Sequence, residues 1–241
     1  MQDRYAGDVG DFGKFGMLRC MEKAGLNVGV NWYLVGNETH NNDGKHLGYL
    51  HDTKFMGCDN ELLALLERMI LKQQRTVLEL EALTMLKSGQ YYHERLTEPK
   101  QPKDTTRRTW HENGLHSLNG CELVFLDPDN GMLPPSVGRG SNKSIKYVFP
   151  EEIVDYYRNG HSVVFYSHRT REQLDVYLKR FEILFGMPEL KHASIRGLSF
   201  KRGTIRDYFF IVHPEHWNAV EAGVEMLMGG NWSKHFDTII L

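Results

Sequence analysis

The amino-acid sequence predicts an α/β fold in one domain that spans all 241 residues, built on a mostly parallel sheet with helices on both faces. Three short apolar runs, at 28–35, 121–126 and 162–167, carry the β-branched and aromatic residues that are typical of buried strands. Segments with helical spacing of apolar side chains separate these runs. Strands that alternate with helices favour parallel pairing, so we expect the three strands to be neighbours in one sheet.

The helices are predicted from apolar residues that recur three and four positions apart. Their expected ranges are 15–24, 60–72, 75–87, 170–185 and 215–228, with a further helix that begins at Pro150. Proline suits the first turn of a helix because the N–H that it lacks has no partner there, and the two glutamates that follow complement the helix dipole. The glycine- and aspartate-rich residues 3–14 predict a loop before the first helix.

Two further segments complete the predicted domain. The stretches 191–200 and 204–213 alternate in polarity around a glycine-containing turn, which predicts an antiparallel C-terminal β-hairpin at one edge of the sheet. Residues 88–119 are polar, partly basic and contain two prolines. This composition indicates an exposed excursion from the domain and not a domain boundary.

The composition narrows the class of protein. A hydrophobic fraction of 41% and a charged fraction of 25% are ordinary globular values. The net charge of −2 argues against a protein that binds polyanions over its whole surface. Three widely spaced cysteines indicate a reducing compartment. No secretion-type apolar segment and no membrane-length apolar run is present, so we expect a cytoplasmic protein without membrane contact.

The loop after the first strand is a candidate site, because ligands of open α/β sheets collect at the carboxyl ends of the strands. The run from Gly36 to Gly44 lacks the G-x-G-x-x-G fingerprint of dinucleotide binding. Its Glu38, His40 and Asp43 are suited to hydrogen-bond the ribose, amine or carboxylate of a cofactor. The alternative is structural, since Asn and Asp side chains in such a loop also cap the next turn.

The loop after the second strand begins with Asp127-Pro128-Asp129-Asn130. Pro128 fixes φ and cannot continue the sheet, so Asp127 is expected to project from the strand end in a defined pose outside the core. Its carboxylate is then placed to accept a hydrogen bond from an exocyclic amine or to bind a metal ion. The alternative is a simple turn, because Asp, Pro, Asn and Gly dominate turns.

The third strand ends in Tyr166-Ser167-His168-Arg169, which we expect to line the same cleft, with Arg169 near a phosphate. The alternative is that Ser167 caps the following helix and that the charges are solvated. Other basic side chains are candidates for a phosphate-binding rim, although such runs are more often a solvated face. They are Lys100, Lys103, Arg107, Arg108, Lys191, Arg196, Lys201, Arg202 and Arg206.

Residues 5–14, with the sequence YAGDVGDFGK, resemble the N-terminal signature of the 23S ribosomal RNA adenine methyltransferase J family. That signature is close to H-A-G-N-x-A-D-x-x-K, and the alanine, first glycine, second aspartate and lysine match it in register. A T-H pair in the loop after the family's first strand corresponds to Thr39-His40. The family's D-P-P-Y motif corresponds to Asp127-Pro128-Asp129-Asn130. The three patches occur in the family's order and cover a small part of the chain.

The resemblance implies a Rossmann-like, methyltransferase-type sheet, S-adenosylmethionine as the cofactor and RNA or DNA as the partner. It implies a methyl-donor pocket lined by Lys14 and His40, and Asp127 as the residue that holds the target amine. In this interpretation the candidate site residues fall into a catalytic, a cofactor and a substrate group. The catalytic group comprises Asp127, Asp129 and Asn130, the cofactor group Lys14, Glu38, His40 and Asp43, and the substrate group Tyr5, Tyr166, His168 and Arg169.

The sequence departs from the family at two positions of the strand-end motif. The aromatic residue that stacks on the flipped base is Asn130 here, and the second proline is Asp129. Stacking supplies much of the binding of an extruded base, so another ring has to take its place. Tyr166, Tyr147 and Trp110 are the candidate rings.

Two other functions are compatible with the same residues. One is a metal-dependent nuclease or phosphoesterase in which Asp127, Asp129 and either Glu151 or His168 hold Mg²⁺ or Mn²⁺. It requires carboxylates that converge within metal-bonding distance. The other is a non-catalytic binding protein on the methyltransferase-like scaffold, since a fold does not determine a function.

Overall fold

The computed structural model describes residues 1–38, 44, 46–99, 105–202 and 204–241. The strands in this part of the chain are β1 (Val28–Asn31), β2 (Gln90–Tyr92), β3 (Leu123–Leu126), β4 (Gly131–Met132), β5 (Tyr147–Val148), β6 (Ser162–His168), β7 (Ser194–Arg202), β8 (Thr204–Val212) and β9 (Phe236–Ile239). The α-helices there are α1 (Val9–Lys23), α2 (Asn60–Leu71), α3 (Val77–Ala82), α4 (Thr106–Ser117), α5 (Pro150–Arg158), α6 (Leu174–Phe185) and α7 (Trp217–Gly229).

The main sheet has the strand order β2-β1-β3-β6-β8-β7-β9, and β4 pairs with β5 beside it. β2, β1, β3 and β6 are parallel, whereas β8, β7 and β9 pair antiparallel. The predicted parallel neighbours β1, β3 and β6 and the predicted hairpin of β7 and β8 are confirmed. The hairpin is not at the edge, because β9 pairs with the outer side of β7. Strand order reverses between β1 and β3, which is where open α/β sheets bind ligands.

Side chains of β3 show how the two faces of the sheet are filled. Leu123 and Phe125 point to one face and Val124 and Leu126 to the other, as the two-residue period of a strand requires. The first face packs against α1, α2, α3 and α7, and the second against α4, α5 and α6. Helices therefore cover both faces, as predicted.

The first helix begins earlier than predicted. Residues 3–14 were expected to form a loop, but α1 starts at Val9, so that expectation is wrong for its second half. Asp8 is the reason, because its carboxylate caps the helix by accepting hydrogen bonds from the backbone N–H groups of Gly10 and Asp11 at 2.7 and 3.2 Å.

Glycines in α1 allow close packing against the antiparallel half of the sheet. A Cβ atom at Gly13 would lie 2.8 Å from the ring of Phe200, and one at Gly16 would overlap the ring of Trp232. Gly13, which was expected in a loop, and Gly16, which was expected in a helix, are therefore both positions of close helix contact. Tertiary packing offsets their weak intrinsic helix propensity.

Several boundaries also differ from the sequence-based expectation. The first strand ends at Asn31 and not at 35, and the helix expected at 75–87 is only the short α3. Residues 88–119 contribute β2 and α4 to the fold instead of forming only an exposed excursion. β2 has three residues and α4 is mostly polar, so neither shows a long apolar period. None of the helices among the described residues is both long and apolar enough to span a bilayer.

Candidate active site at the carboxyl ends of the parallel strands

A cavity of about 370 Å³ opens at the carboxyl ends of β3 and β6, beside the first turns of α1. Because β3 is one of the two strands at the reversal, the cavity lies next to the usual ligand position in this architecture. Its polar lining comes from the N-terminal segment, from the turn after β3 and from β6 and β8. These side chains include Tyr5, Asp8, Asp11, Lys14, His46, Asp127, Asp129, Asn130, Tyr166, His168, Thr204, Arg206 and Tyr208.

Lys14 joins two carboxylates at the floor of this cavity. Its Nζ atom donates to Oδ1 of Asp11 and to Oδ2 of Asp127, each at 2.7 Å. The ammonium group also lies 4.9 Å from the centre of the Trp32 ring. Burial by itself lowers the pKa of Lys14, but the two carboxylates outweigh it and raise the pKa above the usual value. The lysine is therefore charged at neutral pH and fixes the orientation of both aspartates.

Asp127 is buried, which contradicts the expectation of a strand-end residue outside the core. Its backbone N–H donates to the carbonyl of Asn31 at 2.9 Å, and its own carbonyl accepts from the amino group of Met1 at 2.9 Å. The carboxylate uses Oδ2 for Lys14. Burial raises the pKa of Asp127, against the opposite effect of Lys14 and the amino group. A carboxylate so placed is a better proton acceptor than a solvated one.

Asp129 belongs to a second polar group at the cavity wall. Its Oδ2 atom accepts from Nε2 of Gln2 at 2.7 Å and lies 3.6 Å from Nζ of Lys146. Lys146 also pairs with Glu38, so Glu38 lies beside the cavity and not in its lining. The Oδ1 atom of Asp129 is buried and lies 4.0 Å from the amino nitrogen of Met1, and it accepts no hydrogen bond from the residues that the structure describes.

The wall opposite α1 is formed by β6 and β8. Tyr166 and Tyr208 are direct cross-strand partners there, with ring centres 6.3 Å apart. Arg206 donates to the carboxylate of Asp8 at 3.3 Å, which links the hairpin to the start of α1. The hydroxyl of Tyr208 is buried and has no hydrogen-bond partner within the described ranges. Together with the orphan oxygen of Asp129, it leaves unused hydrogen-bonding capacity at the cavity.

The structure brings most of the sequence-predicted residues together. The residues that line the one cavity are Tyr5, Lys14, Asp127, Asp129, Asn130, Tyr166 and His168. His40 and Asp43, with Thr39, lie outside the described residues. Among the candidate stacking rings, Trp110 is buried against Tyr33 and Tyr92 in the core, away from the cavity.

Arg169 has a different environment from the one expected. Its guanidinium forms two hydrogen bonds of 2.8 Å with the fully buried carboxylate of Asp207 on β8. This bidentate pair links the end of β6 to the hairpin. The guanidinium of Arg169, which was expected to lie near a phosphate, is therefore already bound to a carboxylate. Ser167 does not cap a helix, because it lies within β6 and the next helix begins at Leu174.

The expected phosphate-binding rim is largely neutralised within the described ranges. Arg107 binds Glu152, Arg108 binds Glu112, Arg196 binds Glu221 and Lys201 binds Asp237. Lys100 and Lys103 lie outside the described residues. The geometry therefore does not favour a continuous basic surface formed by these side chains.

The carboxylates do not converge as a metal site would require. No cluster of three or more His, Cys, Asp or Glu side chains suited to a metal ion is found among the described residues. Asp127 is bound to Lys14, Asp129 to Gln2, and Glu151 pairs with Arg139 away from the cavity. The arrangement thus offers little support for the nuclease alternative.

Sequence reasoning gave no site role to several residues that line the cavity, among them Tyr208, His46, Thr204 and Asp8, which caps α1. Tyr208 lies in an apolar strand, so nothing in the local pattern distinguishes it from a core residue. Arg206 was counted only as a surface cation, although its side chain reaches Asp8 across the site. The register of the β6 and β8 pair decides the positions of Tyr208 and Arg206.

Comparisons with known proteins give the fold and little more. No family model matches the sequence, and no curated protein matches it. The structure is similar to the crystal structure of protein LPL1258 from Legionella pneumophila str. Philadelphia 1, described with the family model DUF519. The TM-score is 0.51 at 12% sequence identity, and the match covers 97% of each chain. At this identity the likeness shows a shared mixed α/β fold across the whole chain.

Proposed function

We propose that this protein is an S-adenosylmethionine-dependent methyltransferase that acts on an amine of a nucleic-acid base. The observation that carries the proposal is the hydrogen-bonded group of Asp11, Lys14 and Asp127. These residues come from two separate patches of the family resemblance, the N-terminal signature and the strand-end motif. Their direct contact at a cavity is what a shared functional site would require.

The finer description of the fold supports the same proposal. Four parallel strands are followed in the sheet by an antiparallel hairpin whose second strand, β8, lies next to β6. A closing hairpin of this kind is a feature of methyltransferase-like sheets. We therefore infer a Rossmann-like, methyltransferase-type sheet with the donor site at the carboxyl end of β3, next to the reversal between β1 and β3.

The charges of the cavity suit this donor better than a phosphate-bearing cofactor. Four aspartates line the cavity together with Lys14, Arg206 and the amino group of Met1, and Lys146 lies 3.6 Å from Asp129 beside it. Lys14, Arg206 and Lys146 are each paired with one or more of these aspartates, which favours a ligand with a sulfonium and an ammonium group over a phosphate-bearing dinucleotide. The orphan Oδ1 of Asp129 and hydroxyl of Tyr208 supply an acceptor and a hydroxyl for its polar groups.

In this proposal the bound donor supplies an electrophilic methyl group, and the chain's own residues position the acceptor. Lys14 holds Oδ2 of Asp127, which leaves Oδ1 for the hydrogen of the target amine. Asp129 and Tyr208 bind the donor through the two unsatisfied atoms. Restricting the approach of two reactants in this way contributes several orders of magnitude to a rate.

Thermal melting with S-adenosylhomocysteine tests the donor site, because a ligand that binds only the folded state raises the melting temperature. We expect a rise with the wild-type protein, a smaller rise with Asp129→Asn and Tyr208→Phe, and an unchanged rise with Asp237→Asn, whose side chain is exposed on β9. If S-adenosylhomocysteine raises the melting temperature of neither the wild-type protein nor any variant, the donor site is refuted. Binding without methyl transfer to RNA or DNA would indicate the non-catalytic alternative.

A further inference from the structure

A second cavity, of about 260 Å³, adjoins the first on the side of α6. Asn130 and His168 line both cavities, so these two residues form the boundary between them. The backbone N–H of His168 donates to the carbonyl of Asn130 at 3.2 Å, which holds the boundary together. The second cavity is therefore a neighbouring chamber of the candidate active site.

The turn after β3 determines the position of this boundary. Gly131 has a φ of +114°, and a Cβ atom there would lie 2.6 Å from Oγ of Ser167. Only glycine fits such a close approach in the left-handed region. The turn is thus pressed against the end of β6, and the chain then passes through β4 along the second cavity.

The lining of the second cavity differs in chemistry from that of the first. Its walls are mostly apolar and aromatic, and they are formed by Met132, Leu133, Pro134, Tyr147, Tyr177 and Phe181. No aspartate or glutamate of the described chain lines it, and its one Lys or Arg side chain, Arg180, pairs with Glu172. The first cavity suits a charged ligand, whereas the second suits an uncharged one.

The aromatic floor of the second cavity is closely packed and buried. Phe181 packs against Tyr177 at 5.3 Å and against Phe209 at 4.3 Å between ring centres. Tyr147 lies in β5, which pairs with β4, and its side chain is partly exposed. Among the aromatic side chains that line the cavity, the partly exposed ring of Tyr147 is therefore the one accessible to a flat group, because Tyr177 and Phe181 are almost fully buried.

We propose that the second cavity binds the acceptor as a neutral, planar, nitrogen-containing ring of nucleobase size, with Tyr147 as its stacking residue. The proposal rests on the proposed function, because it identifies the acceptor side of that same site. The volume is below the range of about 300–1,000 Å³ that is usual for drug-sized ligands, so it suits a single ring system. Tyr147 then takes the role of the ring that is absent at Asn130.

A fluorescence titration with 2-aminopurine riboside tests the assignment, because stacking on an aromatic side chain quenches this probe. We expect saturable quenching with the wild-type protein and about tenfold weaker binding with Tyr147→Ala, as for the loss of one stacking ring. Tyr147→Phe keeps the ring and is expected to bind as the wild type does. Tyr91→Ala, which removes a partly buried ring on β2 away from both cavities, is the matched control.

A second variant and a competition separate the two cavities. Thr170→Trp places a large side chain at the lining of the second cavity and is expected to abolish quenching, whereas saturating S-adenosylhomocysteine is expected to leave it intact. Absence of quenching, competition by S-adenosylhomocysteine, or unchanged binding by both variants would overturn the proposal. If S-adenosylhomocysteine fails to bind while quenching persists, the proposed function fails and the ring-binding cavity stands.

Discussion

Lys14 and Asp127, which are 113 positions apart in the sequence, are joined by a hydrogen bond of 2.7 Å in the interior of the protein. Lys14 is 5% exposed and Asp127 4% exposed, so water screens their attraction weakly. The bond connects the first helix to the end of a central strand, directly beside the cavity. Loss of this hydrogen bond is expected to affect both the free energy of unfolding and the geometry of the candidate active site.

Replacing Lys14 with methionine is expected to lower the free energy of unfolding by about 3–5 kcal/mol, because two buried carboxylates lose their cation. Urea denaturation of the variant measures the loss. Lys201→Met is the control, since Lys201 pairs with Asp237 at the surface, and such pairs contribute about 1 kcal/mol or less. Equal losses in the two variants would contradict the structural role of Lys14.

Asp127→Asn is expected to reduce methyl transfer by at least about a hundredfold while S-adenosylhomocysteine still binds. The amide keeps an oxygen toward Lys14 but is a weaker proton acceptor for the target amine. The free energy of unfolding also falls, because Lys14 loses one of its two carboxylates. Calorimetric titration and a transfer assay on the same preparation separate binding from chemistry. A variant that is destabilised but fully active would leave Asp127 with a structural role alone.

Gly13→Ala is expected to destabilise the protein by about 1–3 kcal/mol, although alanine favours helices by about 1 kcal/mol. The new methyl group would lie 2.8 Å from the ring of Phe200, which is fully buried. Gly229→Ala in α7 is the matched control, because no atom outside its chain neighbours and its own helix backbone lies within 4 Å of its Cβ position. Thermal melting should fall for the first variant and stay level or rise for the second. If Gly13→Ala melted at a higher temperature than Gly229→Ala, α1 would have shifted to accommodate the methyl group, and the prediction would be wrong.

The contribution of His161 to the free energy of unfolding is expected to decrease as the pH falls from about 7 to about 5. Burial lowers the pKa of His161, whose Nδ1 hydrogen-bonds the carbonyl of Cys121 at 2.6 Å. In the unfolded chain its pKa is about 6.5, so the unfolded state binds more protons below that pH. The stabilisation from the buried, neutral imidazole of His161 is complete above about pH 6.5 and is lost as the pH falls through the lowered pKa of the folded state.

His161→Gln should make this pH dependence shallower, since the amide does not titrate. Urea denaturation at the two pH values measures the difference. His116→Gln, at an exposed position of α4, is the control and should keep the wild-type slope. A slope that is equally steep in the His161 variant would assign the acid sensitivity to other groups.

The sequence was sufficient for those parts of the fold that local patterns encode. The apolar runs of β1, β3 and β6 and the alternating hairpin were identified because burial on two faces or one face imposes a characteristic period. The sequence did not identify the start of α1, the short β2 or the polar α4, because these elements are stabilised by tertiary packing and not by a local pattern. Gly13 shows this most clearly, since its glycine-rich segment is typical of a loop until Phe200 is placed against it.

The chemical types of the site residues were also evident in the sequence, where Lys14, Asp127 and Tyr166 stood at a motif or a strand end. Their arrangement was not, because the burial of Asp127 depends on contacts with Lys14 and Asn31 that are distant along the chain. The same holds for Tyr208, which faces the cavity only through the register of β8 against β6. Pairing between distant strands sets that register, and no period within either strand encodes it.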